Sequence, residues 1–102
     1  MALPHPVIGD FGYALMLAQR GKKHQNAKPL KGFGSSAIIE ICEEHSGGAY
    51  RAIYTVHLPP GIFVLHVFQK KSKQDIATPK RDLDLIKSRL KLAETIAKEM
   101  KS

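Results

Sequence analysis

Between residues 37 and 68 the sequence alternates apolar runs with two short turns, and few folds accommodate that pattern. Residues 37–44, 49–57 and 62–68 read as strands, rich in β-branched and aromatic side chains. His45-Ser46-Gly47-Gly48 and Leu58-Pro59-Pro60-Gly61 read as the turns between them. Turns this short force consecutive strands to run antiparallel, so the segment is a β-meander. Closing the first turn places Glu44 opposite Ala49 and Cys42 opposite Arg51. Closing the second places His57 opposite Ile62 and Arg51 opposite Phe68. One face of the sheet then carries Ile39, Ile41, Tyr50, Ala52, Tyr54, Val56, Phe63, Leu65 and Val67, and must pack on helices. The other carries Glu40, Cys42, Glu44, Arg51, Ile53, His66, Phe68 and Lys70.

Helical periodicity flanks the meander. Over residues 6–20, Val7, Phe11, Leu15 and Ala18 fall on one stripe, with Gly21 placed to end the helix. Residues 22–34 form a basic, glycine-punctuated connection with a short helical turn before Pro29. A second helix runs from about 79 to 101, with Thr78 as N-cap, Pro79 at its first position and Leu83, Ile86, Leu90, Ala93, Ala97 and Met100 on its stripe. At 102 residues the whole is one α+β domain spanning 1–102.

The net charge of +7 and the isoelectric point near 9.7 point to an acidic partner: nucleic acid, an acidic protein or a membrane surface. No apolar run approaches the roughly 20 residues that span a bilayer, and the first residues lack the pattern of a signal peptide. Cys42 is the single cysteine, so no disulfide framework exists and a reducing cytoplasm is the expected setting. Its apolar strand favours an inert, packed thiol.

Candidate chemistry gathers on the mixed face. Arg51 lies mid-strand, and a guanidinium can hold a phosphate and stabilise charge growing on it. His66, diagonal to it on the next strand, can move protons near neutrality. Phe68 offers a ring on which a base can stack. The strand then runs into Lys70, Lys71 and Lys73, while Lys28 and Lys31 arrive from the preceding connection. Such a set suits RNA cleavage by the neighbouring 2′-hydroxyl, which requires neither metal nor enzyme nucleophile. The residues equally allow plain binding of nucleic acid or an acidic protein, with Arg51 paired to Glu40 or Glu44 across the strands and His66 merely solvated. The five histidines are scattered without ligand spacing, so neither metal nor cofactor is expected.

Four stretches carry a family likeness. They are Tyr13-Ala14-Leu15 with Ala18-Gln19-Arg20-Gly21, then residues 27–34, then Tyr50-Arg51-Ala52-Ile53-Tyr54, then residues 65–73. In this order and spacing they resemble the phage-derived, HigB-like branch of the RelE/ParE toxin superfamily. The resemblance implies an antiparallel sheet flanked by an N-terminal helical pair and a C-terminal helix. It also implies the toxin half of a type II toxin–antitoxin system, a ribosome-dependent mRNA endoribonuclease that blocks translation. Arg51 matches the phosphate-binding arginine of such toxins, and Lys70 and Lys71 match their basic pair. The assigned catalytic set is Arg51, His66 and Lys71, with Lys28, Lys31, Phe68, Lys70 and Lys73 holding RNA. This chain departs from the RelE pattern at Glu40 and Cys42, where those toxins carry lysines, and in lacking a tyrosine after the basic pair. A non-catalytic ParE-like inhibitor, or an RNA- or protein-binding module of the same fold, is the alternative.

The expected partners are mRNA on the ribosome and a cognate antitoxin, a helix-turn-helix repressor encoded next door; no membrane partner is expected. Relatives open with a strand before the first helix, whereas this sequence begins almost at the helix: either its start codon was placed late or the strand is absent, and if absent the sheet keeps an unpaired edge open to homo-oligomerisation. Arg51→Ala is expected to abolish toxicity without disturbing the fold.

Overall fold

The computed structural model describes residues 3–33, 37–70 and 78–101. Helix α1 spans His5–Gln19 and begins with Val7 and Ile8 both donating to the Pro4 carbonyl. Its C-terminus closes in two steps: Lys22 N–H donates to Leu17 O at 2.7 Å and Gly21 N–H to Ala18 O at 3.1 Å. That pairing requires a left-handed residue, and Gly21 supplies it at φ +75°.

The chain then forms a strand where a helical turn was expected. β1, Ala27–Pro29, pairs antiparallel with β2, Ile38–His45. Pro29 lacks an N–H, which a strand tolerates at the sheet edge. β3, Gly48–Thr55, and β4, Val64–Lys70, complete an antiparallel sheet of order β1-β2-β3-β4. The first hairpin follows the expected register, with Cys42 opposite Arg51 and His45 opposite Gly48. Ser46 and Gly47 take φ +52° and +80°, the primed two-residue turn whose twist suits a hairpin.

The second hairpin keeps its register only in part. Arg51 faces Phe68 as read, but a bulge between Ile53 and Tyr54 sets Tyr54 opposite Val64. The bulge overturns the pairing of His57 with Ile62. It also moves Leu65 and Phe63 to the other face, because one inserted residue reverses a period-two alternation.

Each face of the sheet meets one helix. Val7, Phe11 and Ala14 of α1 pack on Ile39, Ile41, Tyr50, Ala52 and Tyr54. Helix α2, Lys80–Lys101, packs Ile86 and Ala93 on Ile38, Ile53, Leu65 and Phe68, with Leu83, Leu90 and Phe63 alongside. It starts one residue later than expected: Pro79 lends its carbonyl to Leu83 N–H at 3.0 Å and so stands before the first helical residue. Met100, expected on the packed stripe, is 62% exposed. No helix among the described residues is long and apolar enough to cross a membrane.

Candidate functional site

The mixed face of the sheet is divided by α2 into two polar centres. The first lies towards the hairpin tip. Lys28 on β1 stands opposite Glu40 on β2, and Arg51 on β3 is diagonal to Glu40. Arg51 Nη1 donates to Glu40 Oε2 at 3.0 Å, and Lys28 Nζ lies 4.0 Å from the other carboxylate oxygen. Glu40 and Arg51 are only 5% and 4% exposed. Taking both charges out of water costs several kcal/mol per ion, roughly, and the direct hydrogen bond offsets that. The pair forms one wall of a cleft of about 450 Å³, completed by Asn26, Lys28, Cys42, Glu43 and Glu44. Asn26 Nδ2 steadies the rim by donating to Glu43 Oε1 at 3.1 Å.

Burial pushes the Cys42 thiol up, and the neighbouring Arg51 guanidinium pulls it back only in part. The protonated form is favoured, which suits a packed thiol rather than a nucleophile.

The second centre sits between β4 and α2. His66 Nε2 is 2.9 Å from Asp82 Oδ1, and His66 Nδ1 is 3.0 Å from Arg89 Nη1. Arginine can only donate, so Nδ1 accepts and the ring proton lies on Nε2, directed at Asp82. Arg89 Nη1 also donates to the Leu65 carbonyl at 2.9 Å. The imidazole is stacked on Phe68, with centroids 4.8 Å apart and ring planes 18° from parallel. This network ties the strand to the helix.

The eight residues singled out in the sequence therefore part company. Arg51 and Lys28 share the cleft. His66 and Phe68 lie under α2, and Phe68 is 9% exposed with one ring face against the imidazole. Lys31 is exposed in the turn after β1 and does not line the cleft. Lys70 pairs with Ala49 through its backbone, while its side chain, Lys71 and Lys73 lie outside the described residues. The face is buried around Arg51, so the expectation that Arg51→Ala spares the fold is corrected: truncation strands the Glu40 carboxylate in a buried setting.

Sequence reasoning missed Asp82 and Arg89. A signal existed: they stand seven residues apart, two helical turns, on the side of Ile86 that packs inward. Glu40 was legible only as a cross-strand partner of Arg51, and its burial was not. Among the described residues no cluster of three or more His, Cys, Asp or Glu side chains is arranged to hold a metal ion.

No curated protein and no solved structure matches this chain significantly. A family model does, over residues 1–91: Phage derived protein Gp49-like (DUF891). With most of the chain covered, including α1, all four strands and the first half of α2, the protein belongs to the phage-derived Gp49-like family.

Proposed function

We propose that this Gp49-like protein is the toxin of a type II toxin–antitoxin pair and that it cuts mRNA on the ribosome without a metal, at the Glu40–Arg51 cleft. The observation that supports this most is the buried carboxylate–guanidinium pair opening into a cleft with a lysine on its wall. In this reading Glu40 removes the proton of a ribose 2′-hydroxyl. The O2′–P bond forms as the P–O5′ bond breaks, leaving a 2′,3′-cyclic phosphate and a 5′-hydroxyl. Arg51 and Lys28 pair with the non-bridging oxygens as charge accumulates on them. A guanidinium carries five donors, so contact with Glu40 and with a phosphate are compatible. The departing 5′-oxygen takes its proton from a lysine ammonium, and Lys28 is the one on the cleft wall. The proton-moving role passes from His66 to Glu40, and His66 with Asp82 and Arg89 holds β4 against α2. The partner is an acidic antitoxin that offsets the +7 charge.

One observation favours the non-catalytic alternative. The cleft is lined by three carboxylates and two cations, a poor balance for a polyanion. Controlled expression separates the readings. The toxin proposal expects growth arrest with cleavage confined to transcripts being translated. Growth arrest in which DNA supercoiling fails first, with transcripts intact, supports the ParE-like reading and contradicts the ribonuclease.

A further inference from the structure

Opposite the Glu40–Arg51 cleft, on the α1 face, a groove is left open at the C-terminal end of the helix. Its deeper part, about 310 Å³, is walled by Ala18, Pro29, Ile39 and Val56, with Tyr54 at its floor. Lys22, Lys23 and His57 stand at its mouth, and no carboxylate lines it. A second hollow of about 360 Å³ adjoins it, sharing Ala18 and His57 and running past Pro59, Pro60 and Ile62. His57 is held at φ +58°, a conformation uncommon outside glycine, at the junction of the two.

We infer that this groove docks an extended acidic peptide, seating aliphatic side chains in its two hollows and carboxylates on Lys22 and Lys23. The inference rests on the toxin–antitoxin reading only for what such a peptide belongs to: a segment of the acidic partner. Its chemistry comes from the groove. Two adjoining hollows that share Ala18 and His57 suit an extended chain better than a compact small molecule. The walls are aliphatic, Tyr54 is 1% exposed, and the exposed ring at the groove is the His57 imidazole at its mouth. Single-stranded RNA, which stacks successive bases on several rings, finds one imidazole here and two apolar hollows, and is the poorer occupant. Lys22 and Lys23 are exposed, and their charge is complementary to an acidic segment. Ile39 and Tyr54 point to the face opposite Glu40 and Arg51, so the peptide and an RNA in the cleft occupy different sides of the sheet.

The test uses the full chain with three short fluorescein-labelled probes: a glutamate-rich peptide carrying two leucines, a peptide of equal charge with serines in their place, and a single-stranded RNA. Fluorescence anisotropy and amide chemical shifts are read together. The leucine peptide is expected to saturate and to shift Ala18, Lys22, His57 and Ile62, with the serine peptide about tenfold weaker or worse. Lys22→Gln with Lys23→Gln, both on the exposed rim, is expected to weaken the leucine peptide about tenfold without moving the melting temperature. The inference is overturned by equal binding of the two peptides, by shifts located elsewhere, by the RNA shifting the same amides, or by no saturation at all. Neither RNA cleavage nor growth arrest enters the readout, so this inference and the ribonuclease reading fail separately.

Discussion

The two faces of the sheet are drawn from alternate residues of the same strands, yet they are built on different terms. The α1 face is a plain apolar contact, in which Ile39, Ile41, Ala52 and Tyr54 meet Val7, Phe11 and Ala14. Each contact there stabilises the fold by excluding water, independent of its neighbours' ionisation. The α2 face is half core and half polar: Ile53, Leu65 and Phe68 pack under the helix, while Glu40 and Arg51 are buried beside an open cleft. Burial there depends on partners, since each charge is tolerable only while the other is present. The α1 face supplies apolar burial alone, and the α2 face adds to its own apolar core a charge pair held out of water.

The largest break of this comparison is Arg51→Ala. It is expected to cost about 3–5 kcal/mol, because the buried Glu40 loses its hydrogen-bonded counter-ion. Urea unfolding measures it. Adding an apolar replacement of Glu40 to an apolar replacement of Arg51 should recover most of the loss, and a double-mutant cycle reads the coupling. On the opposite face Ile41→Ala, at a position 0% exposed, should cost about 2–5 kcal/mol through transfer and cavity terms, with no partner mutation able to restore it by charge.

Smaller effects sharpen the contrast. Asp82→Asn weakens the tie between α2 and β4 and should cost about 1–2 kcal/mol, leaving the α1 face as it is. Amide exchange is expected to quicken in β4 and α2 before it does in α1. The smallest effect is alkaline. Burial raises the Cys42 thiol and the Tyr54 phenol, so folding favours their protonated forms. Their contribution is whole below the ordinary thiol and phenol values and is lost as pH climbs through the raised ones. Unfolding midpoints followed from about pH 8 to about pH 11 should fall, and Cys42→Ser should remove the earlier part of the fall.

Alternation and turn length made much of this legible in advance. The first hairpin was readable because a turn confined to residues 45–48 fixes the pairs from Glu44–Ala49 to Cys42–Arg51, and the tighter Ser46-Gly47 turn that forms keeps that register while adding His45–Gly48. The second was not, because a bulge leaves no residue signature of its own in Val64-Leu65-His66, and it alone decides which face Leu65 and Phe63 join. β1 escaped notice because three residues ending in Pro29 carry too little pattern. At the candidate site, strand periodicity gave the face on which Arg51 lies but not how deeply it is covered. Depth depends on how neighbouring strands and helices close over a face, and the pairing of His66 with Asp82 and Arg89 arises only when α2 meets β4.

The central claim is that Glu40 and Arg51 act as a reacting pair rather than as a structural one. Glu40→Gln separates the two roles, because an amide oxygen still accepts the Arg51 hydrogen bond while the side chain can no longer take a proton. Cleavage of mRNA on purified ribosomes and thermal melting should be measured on the same preparation. The account predicts a rate lower by roughly 10²–10⁴ in a protein that still folds, though it melts below the parent because the buried Arg51 loses its counter-ion. A folded Glu40→Gln protein that cuts at the parental rate would contradict it.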